Sequence, residues 1–376
     1  MATFIQRIAL CILGIVWITA ASSQTYNFYF GNLHAHTAYS DGNKDSTKSH
    51  VSTPSGSYQY ARKSEHFDFL GISEHNHYTA KNNPGMHVED YSKGLGQADQ
   101  ENDNGTFVCL YGIEFGVITN GGHVLIYGLD SLIGWETDNH DIFCGKFDYK
   151  KLWTILSARP ASFAILAHPE DTHFKKLLNS PYNATADEAI CGVTVKTGPA
   201  FTKLKNYKAK ASGNFYSYYK WMLAKGYHMG PVIDHDTHNT VFGRSHQSRT
   251  VVLAPSLTRD NLMEGYEAMR FYASEDWNVK VTFTVNGEVM GSSLTDVDEV
   301  NIEVSVDDED ASEKTSSIKV LWGVPKSGVL AKTLISKINS ETLSYTGNAP
   351  NAAYYFLEIT QKDGDKIYTA PVWVKR

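Results

Sequence analysis

Residues able to bind a metal ion are concentrated at the ends of short apolar segments in the first three quarters of the chain. The sequence contains 15 histidines, and His, Asp or Glu closes or opens each of six such segments. The motifs are HAHTAYSDG (34–42), SEHNH (73–77), GIEF (112–115), GGHV (121–124), AHPE (167–170) and DHDTHN (234–239). Imidazole and carboxylate groups are the ligands that proteins use for Zn, Mn and Fe. The pattern therefore predicts a site for divalent metal ions.

The first motif shows how its residues could share one ion. His34 and His36 are two residues apart, and both imidazoles can face the same side because side chains of an extended chain alternate with a period of two. Asp41 follows in the turn Ser40-Asp41-Gly42. A single histidine after an apolar segment is more often a packing or surface residue. Five or six consecutive segments with this ending are difficult to explain by fold stability, and we interpret the motifs as one composite site.

The segments that must position these motifs are strand-like and alternate with helix-like segments between about residues 25 and 275. The predicted strands are Tyr26–Leu33, Phe67–Ser73, Phe107–Tyr111, His123–Tyr127, Ser162–Ala167, Gly192–Lys196 and His228–Ile233, and the predicted helices are Ser57–His66, Tyr149–Ser157, Phe215–Lys225 and Arg259–Met269. This alternation predicts parallel βαβ units, in a barrel or a doubly wound sheet. Both architectures build their sites at the carboxyl ends of strands, where the motifs fall.

The sequence changes character after residue 274. Short alternating segments, separated by turn signals such as Asn286-Gly287 and Asp363-Gly364, predict six or seven strands. This region contains no histidine. We predict an immunoglobulin-like β-sandwich there. The predicted division of the chain is a leader (1–23), a domain that carries the metal-binding motifs (24–277) and a C-terminal β-sandwich domain (278–376).

Residues 1–23 have the pattern of a secretory signal peptide. Arg7 precedes the apolar run Ile8–Ala21, and small residues follow it before Gln24. The run has 14 residues, whereas a helix that spans a bilayer needs about 20. We therefore predict export to the periplasm or the extracellular space with cleavage of the leader. No later segment is long and apolar enough to predict a membrane span.

Charge and cysteine content argue against other classes of protein. The 34 basic and 41 acidic residues give a net charge of −7, and no basic stripe is present to bind a phosphate backbone, so nucleic acid is not an expected partner. Beyond the leader only Cys109, Cys144 and Cys191 occur, without CxxC spacing. This excludes a disulfide scaffold and a cysteine zinc knuckle, and leaves open one bridge plus one free thiol.

The motifs HAHTAYSDG, ISEHN, YGIEFG, GHVLIYGL, ILAHPE and DTHN resemble, in order and spacing, those of the polymerase and histidinol phosphatase (PHP) superfamily of metal-dependent phosphoesterases. The resemblance covers about residues 25–275. The leader and the C-terminal β domain are similar to those of secreted members related to carbaryl hydrolase. The family resemblance implies an α/β fold, a distorted seven-stranded β/α barrel, which the small all-β immunoglobulin-like sandwich would follow here.

The resemblance also implies three metal positions at the carboxyl ends of the strands. A first ion would be held by His34, His36, Glu114 and Asp236, a second by Glu114 as a bridge with His123 and His168, and a third by Asp41, His75 and His238. Asp41 stands where many members have His, which favours a harder ion at that position. The segment 234–238 offers overlapping Asp-x-His and His-x-His choices, and Asp236 and His238 are preferred because Asn239 continues the family-like pattern. His77, His235 and Glu170 are candidates to support the ligands.

The implied activity is hydrolysis of a phosphomonoester or phosphodiester, with two or three divalent ions (Zn, Mn or Fe, with Mg as a further candidate) activating water. Glu114, Asp236 and His168 are expected to carry the reaction. Arg244, followed by Arg62 and Lys196, is the expected contact for phosphate. The substrate would be a small molecule or an ester linked to a glycan or lipid.

The sequence is also compatible with two other functions. The same metal site could hydrolyse an amide, carbamate or carboxyl ester, because metal-activated water attacks carbonyl carbon as well as phosphorus. The protein could also be a surface or glycan-binding protein with a non-catalytic barrel. A complete ligand set argues against the second alternative, because a domain that has lost catalysis is expected to have lost some ligands.

Overall fold

The computed structural model describes residues 25–77, 85–118, 121–169 and 174–376. The predicted leader, Glu170 and His173 lie outside the described residues. In chain order the strands are β1 (Asn27–Asn32), β2 (Phe69–His75), β3 (Val108–Val117), β4 (Gly122–Tyr127), β5 (Ile133–Gly134), β6 (Ile142–Phe143), β7 (Phe163–Leu166), β8 (Ile190–Thr197), β9 (Gly213–Asn214), β10 (Gly230–Ile233), β11 (Arg249–Ala254), β12 (Phe271–Ser274), β13 (Lys280–Val285), β14 (Glu288–Val289), β15 (Ser293–Leu294), β16 (Glu299–Asp307), β17 (Thr315–Gly323), β18 (Lys332–Ile338), β19 (Thr342–Asn348), β20 (Ala352–Gln361), β21 (Lys366–Thr369) and β22 (Val372–Lys375).

The helices are short and lie in the N-terminal part of the described chain. They are α1 (Ser46–Ser49), α2 (Pro54–Ala61), α3 (Val88–Glu101), α4 (Tyr149–Ser157), α5 (Lys175–Asn179), α6 (Ala184–Ala189), α7 (Tyr216–Lys225) and α8 (Arg259–Glu267). Local sequence explains their ends. Thr53 caps α2 by accepting from Gly56 N, with Pro54 as the first helical residue. Gly226, at φ 101°, ends α7 in the left-handed conformation that glycine adopts without strain.

Sixteen strands form one mixed sheet. Its main path runs β10-β8-β7-β4-β3-β2-β1-β11-β12-β21-β20-β17-β18. The pairs β1–β2, β2–β3, β7–β8 and β8–β10 are parallel, whereas β3–β4, β4–β7, β1–β11 and β11–β12 are antiparallel. The carboxyl ends of β1, β2, β3, β7 and β10 and the amino end of β4 therefore meet at one edge of the sheet.

The predicted distorted seven-stranded β/α barrel is wrong. The sheet is open at β10, and past β12 it continues into the C-terminal strands. The Thr250 hydroxyl of β11 accepts from Ile233 N of β10 at 3.1 Å and donates to Ile233 O at 2.9 Å, but no backbone ladder joins these two strands in the described chain. The alternation of strand-like and helix-like segments predicts parallel strands that are joined by helical crossovers. The connection between Val117 and Gly122 is too short for a crossover, so β3 and β4 pair as an antiparallel hairpin.

The C-terminal strands also differ from a separate immunoglobulin-like sandwich. One of their two layers is the four-stranded sheet β14-β13-β16-β19, but the other layer is an extension of the large sheet, joined to it where β12 pairs with β21. A shared core fills the space between the layers, and it includes Phe30 and Val251 from the N-terminal strands. The boundary predicted at residues 277 and 278 lies in the connection between β12 and β13.

Two smaller findings concern the cysteines and the membrane. Cys109, Cys144 and Cys191 are free thiols, and all three are buried. Across the described ranges, no helix has both the length and the apolar character that crossing a membrane requires.

Candidate metal centre

The first two histidines are held by backbone contacts with two neighbouring segments. His36 N donates to Thr237 O at 2.9 Å, and Thr237 N donates to His34 O at 3.3 Å. Ala35 O accepts from Ser73 N at 2.9 Å. The segment after β1 is thus fixed between β2 and the loop after β10, and both imidazoles are fully buried.

Strand pairing positions the ligand candidates of β2, β3 and β4. His75 is the last residue of β2 and lies opposite Glu114 of β3. His123 lies opposite Gly116 in the hairpin that β3 forms with β4. Register in these ladders therefore brings His75 and His123 to Glu114.

The remaining ligand candidates come from turns. His168 follows β7 and Asp236 follows β10, with φ of 27° and 48°. Positive φ is uncommon for residues other than glycine, and such conformations cluster at functional sites. Asp41 precedes Gly42, where a Cβ atom would lie 2.1 Å from the backbone carbonyl of His36. Only glycine permits this close approach, which folds Asp41 back towards the histidines.

Glu114 is the centre of the cluster. Its two carboxylate oxygens lie within 3.3 Å of ring nitrogens of five histidines. The distances are 3.1 Å to His34 Nε2, 3.3 Å to His36 Nε2, 3.1 Å to His75 Nδ1, 2.7 Å to His123 Nδ1 and 3.3 Å to His168 Nε2. One buried carboxylate thus faces more imidazoles than it could accept hydrogen bonds from in good geometry.

Two further carboxylates complete the cluster. Asp236 Oδ1 lies 3.2 Å from His34 Nε2 and 3.4 Å from His36 Nε2. Asp41 Oδ1 lies 3.2 Å from His238 Nε2 and 3.6 Å from His75 Nε2. All nine residues that the sequence nominated as ligands are therefore brought together.

The cluster divides into overlapping ligand groups whose donor atoms lie within 4.8 Å of one another. They are His36, Asp41, His75 and His238; His34, His36 and Glu114; His34, His168 and Asp236; and His75, Glu114 and His123. The grouping differs from the one implied by the family resemblance, since His168 joins Asp236 and His34, and His36 joins the group of Asp41. Shared ligands are typical of sites that hold neighbouring ions.

The residues present fit divalent ions. The ligand atoms of a tetrahedral ion with bonds of about 2.0–2.1 Å lie roughly 3.3 Å apart. The corresponding distances here are 3.1–3.6 Å, measured from Asp41 to His75 and His238, from Asp236 to His34 and His36, and from Glu114 to His34 and His36. Several buried donor atoms also make no hydrogen bond: His34 Nε2, His36 Nε2, Asp41 Oδ1, Glu114 Oε2, His123 Nδ1 and His238 Nε2. Buried polar atoms are normally paired, and these unpaired atoms are available as ligands for cations.

The electrostatics of the cluster agree with that assignment. Burial alone would raise the pKa of Glu114, but His123, His34 and His75 outweigh it and hold this pKa well below its usual value. Burial lowers the pKa of His36, but Asp236 and Glu114 overcome that effect and raise it to about 10. In the absence of an ion His36 therefore holds a proton, and metal binding must release it.

Two buried carboxylates outside the ligand set support the cluster, and the sequence analysis did not identify their roles. Asp234 Oδ2 lies 3.2 Å from His34 Nδ1 and accepts from Thr194 Oγ1 at 2.6 Å, so it orients the ring as carboxylate partners of metal-bound histidines do. Glu74 accepts from Thr37 N at 3.0 Å and from the Ser40 hydroxyl. Burial raises the pKa of Glu74 to about 7. The sequence signal for Asp234 was its position two residues before Asp236.

The two described residues nominated as supports lie beside the ligands. The ring of His77 stacks on that of His75 at 5.4 Å. His235 points away from the cluster, and its Nε2 contacts Ser248 O at 2.8 Å. Burial lowers the pKa of His235 to about 3, so this ring is neutral and Nε2 is the donor. His77 thus packs against the ring of a ligand candidate and His235 binds a backbone carbonyl, and neither is positioned as a ligand.

The three cations predicted to contact phosphate have protein partners instead. Arg244 donates to Ser64 Oγ at 3.1 Å and stacks on Tyr60. Arg62 donates to Glu101 O at 2.5 Å. Lys196 Nζ lies 2.5 Å from Glu275 Oε1. In the described part of the chain, none of the ion pairs of Arg244, Arg62 or Lys196 involves a ligand candidate.

Lys44 is a cation beside the cluster that was not nominated from the sequence. Its Nζ lies 3.2 Å from Asp41 Oδ2, and its backbone N donates to His238 O at 2.9 Å. Lys44 also lies over the ring of Phe201, at 5.2 Å from Nζ to the centroid, and that ring contacts His238 at 4.7 Å. The Lys44 side chain is 40% exposed and Phe201 is 61% exposed. The signal in the sequence was the position of Lys44 three residues after Asp41.

We expect Asp41→His to change the metal preference of the cluster and to leave the fold intact. The imidazole would replace the only carboxylate in the group with His36, His75 and His238, and nitrogen ligands favour Zn over Mn. The ratio of Mn-supported to Zn-supported activity should fall by at least about tenfold. Asp41→Asn, which keeps an oxygen donor, is the control. An unchanged ratio in Asp41→His would remove Asp41 from the coordination sphere.

No family model and no curated protein matches the chain. Among solved structures, it is similar to the PmoD soluble domain from Methylocystis sp. ATCC 49242 (Rockwell), with 12% identity and a TM-score of 0.19 over 26% of this chain and 90% of that chain. It is also similar to the endo-beta-1,4-mannanase from Thermotoga petrophila, with 9% identity and a TM-score of 0.20 over 85% of this chain and 70% of that chain. Similarities this weak carry no argument, and the functional assignment has to rest on the cluster itself.

Proposed function

We propose that the protein is an exported metal-dependent phosphoesterase, related to the PHP superfamily, that hydrolyses a phosphomonoester or phosphodiester. The observation that carries this proposal is the cluster of six histidines and three carboxylates, in which ligand groups share residues and buried donor atoms have no hydrogen-bond partner. Ligand sharing of this kind suits two or three neighbouring divalent ions, and the mixed nitrogen and oxygen donors suit Zn, Mn or Fe.

When bound, the ions would supply Lewis acidity for the phosphoryl group and acidify a water molecule. The protein's residues perform the other tasks. Glu114, through its position between five imidazoles, offsets the mutual repulsion of neighbouring cations. Asp234 keeps the His34 ring in one orientation through its contact with Nδ1.

Lys44 is the residue that favours phosphate over a carbonyl group. Its ammonium lies beside the ligand candidate Asp41 and is partly exposed, so an anionic substrate oxygen at the cluster can pair with it. Phosphoryl transfer depends on such cationic contacts because the charge is spread over several oxygens. Phe201, exposed and packed against His238 with the rings tilted by 44°, offers an apolar surface for the leaving group.

The second candidate is an amide, carbamate or carboxyl ester hydrolase on the same site. The exposed ring of Phe201 favours it, since a neutral ester with an aromatic group would stack there. The two functions differ in their dependence on the charge of Lys44, which separates them experimentally.

Metal analysis of the purified protein, followed by a screen of phosphomonoesters, phosphodiesters, carboxyl esters and carbamates, tests the proposal. We expect at least two divalent ions per chain and turnover of a phosphate ester. Turnover of carboxyl or carbamate esters alone would support the second candidate. Bound metal without hydrolysis of any of these classes would contradict both.

Export of the protein is part of the same proposal. It is supported by the short apolar run and the small residues that precede Gln24. The mass of the exported form should correspond to a chain that begins near Gln24. An exported form that retains Met1 would contradict cleavage of the leader.

A further inference from the structure

The loop between β8 and β9 is a basic and partly apolar segment beside the histidine cluster. It covers residues 198–212 and contains four lysines. These lysines lie in a stretch from 189 to 233 that has no aspartate and no glutamate. The chain as a whole has a net charge of −7, so the loop is a local basic feature of an acidic protein.

Hydrogen bonds hold the loop against the segment after β10, which carries two of the ligand candidates. His238 N donates to Ala200 O at 3.0 Å, and Asn239 Nδ2 donates to Phe201 O at 2.9 Å. The ring of Phe201 also contacts that of His238, with 4.7 Å between the ring centres. The loop therefore forms part of the rim of the cluster, and its exposed side chains are presented there.

Two large apolar side chains of the loop are exposed. Phe201 is 61% exposed, and Leu204, three residues later, is 49% exposed. The Lys44 ammonium lies 5.2 Å from the centre of the Phe201 ring. Apolar side chains that are held at the surface beside cations gain free energy when they enter an apolar phase with an anionic boundary.

The charge of the loop is only partly offset by acidic side chains. Lys205 and Lys210 pair with aspartates at 3.8 Å and 3.3 Å. Lys203 and Lys208 are exposed, and the ion pairs found in the described chain include neither of them. Two ammonium groups of the loop are therefore available to an anionic partner.

A second exposed apolar segment lies next to the cluster. Asn76 Nδ2, directly after β2, donates to a backbone oxygen of β5 at 3.1 Å, and β5 pairs with β6. Phe143 at the end of β6 and Phe147 beyond it are each 52% exposed. The ammonium groups of Lys151 and Lys146 lie 4.8 Å and 5.6 Å from the centres of these two rings. Exposed aromatic rings with lysines beside them therefore occur on two segments around the same site.

We propose that the loop 198–212 docks on an anionic lipid membrane, and that the ester hydrolysed at the cluster is a phosphate ester of a lipid headgroup. The identity of the ester rests on the proposed function, whereas docking does not. Segments that bind at a membrane interface bury apolar side chains at the boundary of the acyl region and keep lysines among the anionic headgroups. Phe201 and Leu204 supply the apolar contacts, and Lys203 and Lys208 supply the charge. Docking by this loop places headgroup phosphates beside the ligand candidate His238, because Phe201 contacts its ring.

Binding to vesicles tests the docking. The metal-loaded protein should co-sediment with vesicles of phosphatidylcholine and phosphatidylglycerol, and should bind at least about tenfold more weakly to phosphatidylcholine alone. Added NaCl should weaken the binding, because salt screens the lysines. The double variant Lys203→Gln/Leu204→Ser loses one charge and one apolar contact and should lower the affinity by at least about tenfold.

The matched control is Lys337→Gln/Ile338→Ser, which removes the same pair of side-chain types from β18. Ile338 is 71% exposed. The control should bind vesicles like the wild type. Both double variants should keep the unfolding midpoint of the wild type and its turnover of a soluble phosphate ester.

Turnover in vesicles tests the identity of the ester. Vesicles that also contain phosphatidic acid offer a phosphomonoester, and their phosphatidylglycerol offers a phosphodiester. We expect hydrolysis of one of these lipids, and a loss in Lys203→Gln/Leu204→Ser that the control does not show. Absence of vesicle binding in the wild type, or full binding by Lys203→Gln/Leu204→Ser, would overturn the docking. Vesicle binding with turnover of soluble phosphate esters alone would overturn the lipid as substrate. Vesicle binding without turnover of any phosphate ester would contradict the proposed function and leave the docking intact.

Discussion

Glu114→Gln is expected to remove at least one metal ion per chain and to abolish hydrolysis. Glu114 carries the charge that faces the ring nitrogens of five histidines, and a neutral amide would present hydrogen atoms to a cation. Removing one partner of a buried charge pair costs about 3–5 kcal/mol. This corresponds to a loss of roughly 10²–10⁴ in metal affinity. Metal content after dialysis and turnover of the best substrate from the screen are the measurements.

Glu101→Gln is a matched control, because Glu101 is also a mostly buried carboxylate in an ion pair. Its partner is Arg62 at 3.5 Å, and its side chain is 10% exposed. The control should keep its full metal content and activity. If Glu114→Gln kept them as well, the assignment of the cluster as the metal centre would be wrong.

The ligand candidates could be nominated from the sequence because their residue types and their positions after apolar segments are local properties. His34, His36 and Asp41 could be found from a two-residue spacing and a turn, and apolar segments marked the strands in front of the motifs. The helix predicted at Tyr149–Ser157 is confirmed at those residues. β10 begins at Gly230, two residues after the predicted start at His228, whereas β3 continues to Val117, six residues beyond the predicted end at Tyr111.

Strand pairing could not be predicted in the same way. An apolar segment indicates that a strand is buried, but it does not indicate which strand lies beside it or whether the two strands run parallel or antiparallel. The hairpin of β3 and β4 and the antiparallel pairs of β11 depend on turn length and on contacts between distant segments. Arg244 was nominated because it follows the motif at 234–239, whereas Lys44 is positioned beside the cluster by its backbone bond to His238.

Lys44→Met is expected to lower kcat/KM for a phosphate ester by about 10–150-fold and for a neutral carboxyl ester by less than about threefold. A hydrogen bond to a charged group contributes about 1.5–3 kcal/mol, and each 1.36 kcal/mol is a factor of ten. The substitution keeps the apolar stem that lies over Phe201. It also removes the pair with Asp41, but a pair in which the lysine is 40% exposed contributes little to stability.

Lys205→Met provides the matched control. Lys205 is 42% exposed, lies 3.8 Å from Asp45 and stacks on Tyr60 at 5.5 Å, so it repeats the environment of Lys44 without contact to a ligand candidate. It should have no effect on either substrate class, and Lys44→Arg should retain most of the phosphate activity. Equal losses on phosphate and carboxyl esters in Lys44→Met, together with a lower metal content, would show that Lys44 acts on Asp41 and not on the substrate. The preference for phosphate would then have to come from the metal ions alone, and the carboxyl ester hydrolase would become the better assignment.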